Sequence, residues 1–257
     1  MEPLKPVPAS ARIALGIAFF VLFIGAWALV TATGFVQPLF LASPWQALAS
    51  GWSLFTEYNF IGDIGMTVWR VLGGFVLAAA LAVPLGLLMG AYKPVEAFFE
   101  PFISFARYLP ASAFIPLLIL WAGVGEAQKL SVIFLGSVFQ VVIMVAVIAG
   151  ATRIDLVEAA YTLGARQGGI LRRVIIPAAA PQVMEALRLV LGWAWTYVIV
   201  AELIGAQSGI GHMIMDSQRL LDTGQMIFGI VVIGLIGLVT DFLFKALNRR
   251  LFRWATL

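Results

Sequence analysis

Six runs of apolar positions, set apart by short polar stretches, organise the chain. They cover residues 13–31, 71–91, 108–125, 130–152, 189–207 and 224–240. The last two extend through more polar turns to about 185 and 244. A hydrocarbon layer about 30 Å thick needs roughly 20 helical residues to cross it, so each run is read as a membrane span. None alternates polar and apolar residues as a barrel strand would. The third run contains Pro110 and Pro116, and the fifth contains Glu202. The first run has 19 residues without a charge. That is longer than the roughly 7–15-residue apolar part of a cleaved secretory signal, so it is taken as a retained span although Thr31-Ala-Thr33 loosely resembles a cleavage site.

Two further stretches carry a single apolar stripe and read as helices lying at a membrane surface. Ser43-Pro44-Trp45-Gln46 offers a capping serine, a first-turn proline and a glutamine three residues on. Trp45, Leu48, Trp52 and Phe55 follow at helical spacing. Lys93-Pro94 opens the second, with Val95, Phe98, Phe99, Phe102 and Ala106 as its stripe. Aromatic anchoring at headgroup level accounts for both.

The longest polar interruption is 153–177. Its pattern predicts two short helices broken at Gly164. Asp155 and Glu158 have the spacing of a capping box and favour the positive end of a helix dipole. Leu156, Ala159, Ala160 and Leu163 share one face. Gly164 stands where a helix C-terminus wants a residue free to turn left-handed. The second helix would carry Ile170, Leu171, Val174 and Ile175, with Arg166, Arg172 and Arg173 on its polar side. Pro177 would end it, and Pro181 would start the fifth span. The short Ala159 and Ala160 would let a partner's backbone come close. Without a partner the segment would be a plain amphipathic loop. As a DNA-reading helix-turn-helix it is too short and too near the bilayer.

Composition agrees with the spans. Of 257 residues 62% are hydrophobic and 11% charged, against roughly 25% charged in an average soluble domain. With no cysteine and one histidine, His212, disulfides, thiolate chemistry and a histidine-rich metal site are excluded within one chain. Basic residues set the orientation. With the N-terminus inside, the inner segments hold Lys5, Arg12, Lys93, Arg107, Arg153, Arg166, Arg172, Arg173, Arg188, Lys245, Arg249, Arg250 and Arg253. The outer ones hold Lys129 and Arg219, with Arg70 near an outer edge. Both termini and the 153–177 loop are therefore expected on the cytoplasmic side. The chain reads as one all-α membrane domain over 1–257, with six transmembrane helices.

Within the loop, Glu158-Ala159-Ala160 is followed after three residues by Gly164, and after nine more by Val174-Ile-Ile-Pro177. This resembles the EAA motif of permeases in binding-protein-dependent ATP-binding-cassette importers, Glu-Ala-Ala, three residues, Gly, nine residues, Ile-x-Leu-Pro. It departs at Val174 and Ile176. The chain is most similar to the nitrate, sulfonate, taurine and bicarbonate group. Arg70-Val-Leu-Gly-Gly-Phe75, Pro84-Leu-Gly-Leu-Leu-Met-Gly90, Leu118-Ile-Leu-Trp-Ala-Gly-Val-Gly-Glu126, Ala201-Glu-Leu-Ile-Gly-Ala206 and Gly209-Ile-Gly211 add to the likeness, which runs from about residue 62 to the C-terminus.

The resemblance implies a type I importer permease fold in a bacterial inner membrane and a transport subunit that is not itself an enzyme. Implied partners are a second permease chain, most simply a homodimer, two nucleotide-binding ATPase subunits that hold ATP and Mg, and a periplasmic or lipid-anchored solute-binding protein. No nucleic acid is expected, and no cofactor in this chain, which lacks a phosphate-loop sequence. The loop would be the coupling element, with Asp155, Glu158, Ala159, Ala160, Gly164, Arg166 and Pro177 as its site residues. The cargo implied is a small anion.

Ionisable and polar groups in the spans are costly and mark function or packing. Glu202 is read either as a wet or paired residue at the outer interface or as a gate or receptor-docking group. Gln140, Trp193 and Tyr197 are pathway candidates by family analogy. Glu185 with Arg188, and Asp241 with Lys245, are read as structural pairs, Arg70 and Asp63 as anchors, and His212 as an exposed loop residue. An ion-driven secondary transporter or channel is the alternative, and would show charged pairs near mid-membrane and related halves. A membrane enzyme would need clustered histidines, cysteines or carboxylates.

Overall fold

The computed structural model describes residues 7–255, so Lys5 and the first prolines lie outside the described residues. Among the described residues every regular element is helical. Contacts divide the chain into two compact units, 1–60 with 214–231, and 61–213 with 232–257. Five helices are long and apolar enough to cross a membrane, and a bent helix pair makes a sixth when counted as one span.

In the first unit α1 (Ala9–Ala32) is apolar from Ile13 to Val30 yet buries no residue, as suits a helix whose solvent is lipid or another chain. Trp27 donates its Nε1–H to the Ala42 carbonyl at 3.0 Å. Helix α2 (Pro44–Glu57) starts on the expected capping box, with Ser43 accepting from the Gln46 amide and the Gln46 side chain accepting from that of Ser43. Its stripe Trp45, Leu48, Trp52 and Phe55 faces outward, and the opposite face, Ala47, Gly51 and Leu54, is buried. Gly51 lies against the Phe228 ring, and Phe55 and Phe60 pack edge to face.

The second unit is built on α3 (Phe60–Ala91), α6 (Glu126–Gly150) and α9 (Ile176–Leu203). Val71, Phe75, Ala78, Ile133, Val141, Val142, Val145, Val190, Leu191 and Ala194 form its core. Small residues bring the backbones together, as membrane helix contacts require. A Cβ on Gly86 would stand 2.7 Å from the Val142 carbonyl oxygen, and one on Gly90 would collide with that of Ala146.

Between α3 and α6 the expected third span is not one helix. Helix α4 (Lys93–Ala106) and the short α5 (Ile115–Ala122), preceded by a 3-10 turn at Ala111–Phe114, meet at 82°. Pro110 lacks an N–H and pushes Leu109 out of helical geometry, which breaks the chain there. The turn and α5 together rise only about 18 Å at 1.5 Å per residue. Alone they fall short of the hydrocarbon layer, and by length and composition the bent pair passes as one span only when α4 is counted with them.

Helix α7 (Ile154–Thr162) is followed by α8 (Gln167–Ile170), and α8 runs without interruption through a π-helical turn, Leu171–Ile175, into α9. The expected stop at Pro177 and start at Pro181 are thus corrected, because both prolines lie inside one 37-residue helix, 167–203. Pro177 sits in the first α-turn of α9, directly after the wider π-turn, where a missing N–H costs little. Past α9, the expected outer loop holds a helix, α10 (Ile210–Arg219), with His212 half-buried in its first turn. The last helix is α11 (Thr223–Leu251).

Candidate functional site

Gly164 carries the turn between α7 and α8 at φ +81°. The Ala165 amide donates to the Ala160 carbonyl and the Gly164 amide to that of Tyr161, both at 2.9 Å. This is the paired closure that a left-handed C-terminal residue makes possible. The expected capping box at the start of α7 does not form. The helix begins two residues too early for it, with Arg153 at the cap position and no capping bond from the Arg153 side chain. Asp155 instead accepts from the Arg153 guanidinium at 2.5 and 3.1 Å, and this contact holds its carboxyl below the ordinary carboxylate value.

The face of α7 is also rotated from expectation. Val157 and Ala160 pack with Ala149, Ile170 and Ile175. Leu156, Glu158, Ala159 and Leu163 point outward with Ile154 and Tyr161. Ile154 and Leu163 are 69% and 88% exposed. Because the inward contact is one small residue and one valine, the larger apolar side chains remain for something else to cover. Arg166, at the start of α8, is exposed and caps nothing with its side chain.

Glu202 is 1% exposed and stands in a buried polar cluster that the sequence alone does not reveal. Arg70, also 1% exposed, spends all five of its N–H donors there. Nε and Nη2 grip Glu126 at 2.7 and 2.6 Å. Nη1 reaches Glu202 at 2.7 Å and the Ser208 carbonyl at 2.6 Å, and Nη2 also meets Ser208 Oγ at 3.2 Å. The backbone amides of Gly209, Ile210 and Gly211 then donate in succession to Asp63, the Thr67 hydroxyl and Glu202, at 2.6, 2.9 and 2.8 Å. These are the orphan donors at the start of α10, and carboxylates suit that end of a helix. Gly209 has φ +110°, and a side chain there would run into the Glu202 carboxylate and the Arg70 guanidinium. Arg70 and Asp63 are therefore not anchors at a membrane edge. They fasten the 204–209 turn and α10 to α3 and α6. The signal in the sequence was two carboxylates and one arginine among apolar residues, which cannot both satisfy burial and stay apart.

A second network joins α9 to α11. Arg188 holds Glu185 at 2.8 Å and also pairs with Asp241, which meets Lys245 at 2.7 Å. The Asn248 amide adds a 2.7 Å bond to Glu185. The two pairs expected from the sequence are thus one.

The third feature is a cavity of about 350 Å³ at the break between α4 and α5. The break itself lines it, Ala106 to Ser112, with Leu135, Gly136, Phe139 and Gln140 from α6 and Thr196, Tyr197 and Val200 from α9. The Tyr197 ring rests on Gly136, where a Cβ would come within 2.5 Å. Of the four pathway candidates Gln140 and Tyr197 meet here. Glu202 belongs to the buried cluster, and Trp193 lies in α9 outside the cavity wall, its carbonyl accepting from Thr196 at 2.7 Å.

Residues 82–253 match the family described as "Binding-protein-dependent transport system inner membrane component". The chain is a permease of the binding-protein-dependent ABC importer family. The permease is 41% identical over 242 residues to a probable ABC transporter permease protein of Brucella melitensis biotype 1, covering 93% of this chain and 96% of that one. It is 32% identical to the taurine transport system permease protein TauC of Escherichia coli K12, over 96% and 92% of the two chains. Its fold is like that in an inward-facing structure of the MetNI methionine ABC transporter, with TM-score 0.66 at 18% identity, over 74% of this chain and 97% of that one. The type I importer permease fold expected from the EAA motif is therefore present.

Proposed function

We propose that this permease forms the translocation pathway of an ATP-driven importer for a small anion, of the taurine or sulfonate, nitrate or bicarbonate kind, and that the 153–177 loop couples it to a separate ATPase. The single observation that carries the coupling is α7. Its large apolar side chains stand exposed while a rigid glycine-closed turn and the unbroken helix 167–203 join it to the body of the second unit. A push on such a lever is transmitted to α9 rather than absorbed by a slack loop.

The chain works as a pair of permeases, most simply two copies, with two ATPase subunits that bind ATP and Mg and an external solute-binding protein. It catalyses no chemistry itself. It sits in a bacterial inner membrane with both termini and α7 on the cytoplasmic side, an orientation supported by the basic residues at the α3–α4 turn, in 153–173 and at the end of α11. The anion follows from the relatedness to the taurine permease, since the motif itself says nothing of cargo.

The test is to co-express the chain with a phosphate-loop ATPase encoded beside it, purify on the ATPase, and measure ATP hydrolysis with the loaded binding protein. Co-purification and stimulated hydrolysis are expected, both lost when 155–175 is deleted. Uptake that persists after that deletion, or uptake by the chain alone along an ion gradient, would sink the proposal.

A further inference from the structure

The cavity at the α4–α5 break abuts the middle of α6. Gly136 and Gln140 each lie ten residues from an end of that 25-residue helix, about 15 Å at 1.5 Å per residue, which is the midplane of a spanning helix. Arginines in or beside the spans are expected to find a partner. Arg70 and Arg188 follow that rule with two carboxylates each. Arg107, exposed in the cavity wall, does not. Among the described residues it has no ion pair, and its guanidinium lies over the Tyr108 ring at 4.7 Å with one Nη2 bond to the Tyr108 hydroxyl at 2.8 Å. Glu96 and Glu100 line a neighbouring cavity with Arg107, but Glu96 is held by Lys93 at 2.5 Å and neither carboxylate reaches ion-pair distance. The Ser112, Gln140 and Tyr197 side chains in the same wall make no hydrogen bond among the described residues. Four side chains able to donate thus line one opening, and no carboxylate is among its lining residues.

We infer that Arg107, with Ser112, Gln140 and Tyr197, is an oxyanion-binding station within the pathway, and that Arg107 is the residue that reads the charge of the cargo. The inference rests on the small-anion reading above and deepens it. A guanidinium offers planar paired donors to a sulfonate, nitrate or bicarbonate alike. Its stacking on Tyr108 fixes the plane while leaving most donors open. The break in the span provides the room: irregular backbone at membrane depth is tolerated where it lines a cavity, and discontinuous helices mark such stations in transporters.

The test uses the whole assembly, permease, ATPase and binding protein, in proteoliposomes, with taurine, methanesulfonate, nitrate and bicarbonate as probes and solute carried per ATP hydrolysed as the readout. Arg107→Gln should lower that ratio about tenfold or more for the anion the wild type carries, and Arg107→Lys should restore a large part of it by keeping the charge. A merely structural role would lower uptake and hydrolysis together and leave the ratio in place, which overturns the inference, as does a wild-type ratio in Arg107→Gln. Should Arg107→Gln not reach the membrane, Gln140→Leu is read in the same way, with at least a severalfold fall expected, and an unchanged ratio counts against the station. A wild-type assembly that carries none of the four anions overturns the small-anion reading and this inference with it, whereas wild-type uptake with an insensitive Arg107 overturns this inference alone.

Discussion

Replacing Glu202 with alanine should destabilise the permease severely, and the structure sets the size. The carboxylate accepts from Arg70 Nη1, from the Thr67 hydroxyl and from the Gly211 amide. All three donors are buried, and the Gly211 amide is fixed by the backbone and cannot turn to water. Removing one partner from a buried hydrogen-bonded ion pair costs about 3–5 kcal/mol, and each stranded neutral donor about 1–3 kcal/mol. Arg70 keeps Glu126 and Ser208, and the Thr67 hydroxyl can rotate, so the total should settle near the ion-pair figure, about 3–5 kcal/mol. Glu202→Gln keeps the shape and one acceptor, and should cost about half as much. For a chain of this size each kcal/mol moves the unfolding midpoint by about 2–4 °C, so the alanine variant should melt about 6–20 °C below wild type. The assay is thermal unfolding of the purified assembly in detergent at one protein concentration and scan rate, followed by tryptophan fluorescence. Arg70→Met with Glu202→Met should be less destabilised than the sum of the two single variants, because the unpaired charge left by either one is gone. A Glu202→Ala midpoint within about 2 °C of wild type, or strictly additive single and double variants, would refute the idea that this cluster pins α10 to α3 and α9.

Three further outcomes can be checked. Gly164→Arg must force a side chain to φ +81° at about 1–2 kcal/mol, and should leave the chain in the membrane while hydrolysis in the assembly no longer drives uptake; normal uptake would contradict the lever. Gly90→Leu places a side chain into the Ala146 carbonyl and Ala149 and should cost about 1–3 kcal/mol, seen as a lower yield of folded protein in the membrane, whereas Gly16→Leu in α1, with nothing within 4 Å of its Cβ position, should not. The Asp155 carboxyl is held below its ordinary value of 3.8 by Arg153, so whatever the pair contributes is present above that value and lost only as pH falls through the lowered one. Between about pH 6 and 8, Arg153→Gln and wild type should therefore show parallel uptake profiles; a variant-specific slope in that window would exclude the pair as described.

Linear spacing and local chemistry made several elements legible. A run of about 20 apolar residues has few fates other than a membrane helix, and the Ser43–Gln46 box and the Gly164 turn formed where they were read because each depends on four or five neighbouring residues. The same local reasoning misplaced Pro110, Pro177 and Pro181. A proline removes one donor, but whether that breaks a helix depends on what else serves the backbone, and here the outcome was a break at the first and continuous helix through the other two. The register of α7 was likewise undecided by pattern, since Leu156, Val157, Ala160 and Leu163 are all apolar and only packing on Ile170 and Ile175 chose Val157 and Ala160.

Local pattern was enough to read a lipid-embedded chain with about six crossings and a glycine-broken two-helix loop carrying the importer permease motif, because burial of apolar runs and turn chemistry are settled within a few residues of each position. Three-dimensional packing alone brings Arg70, Glu126 and Glu202, 132 residues apart at the extremes, into one charge balance, and leaves Arg107 without a counter-charge among the described residues. A buried charge is governed by its nearest counter-charge in space, and chain distance does not encode that neighbour.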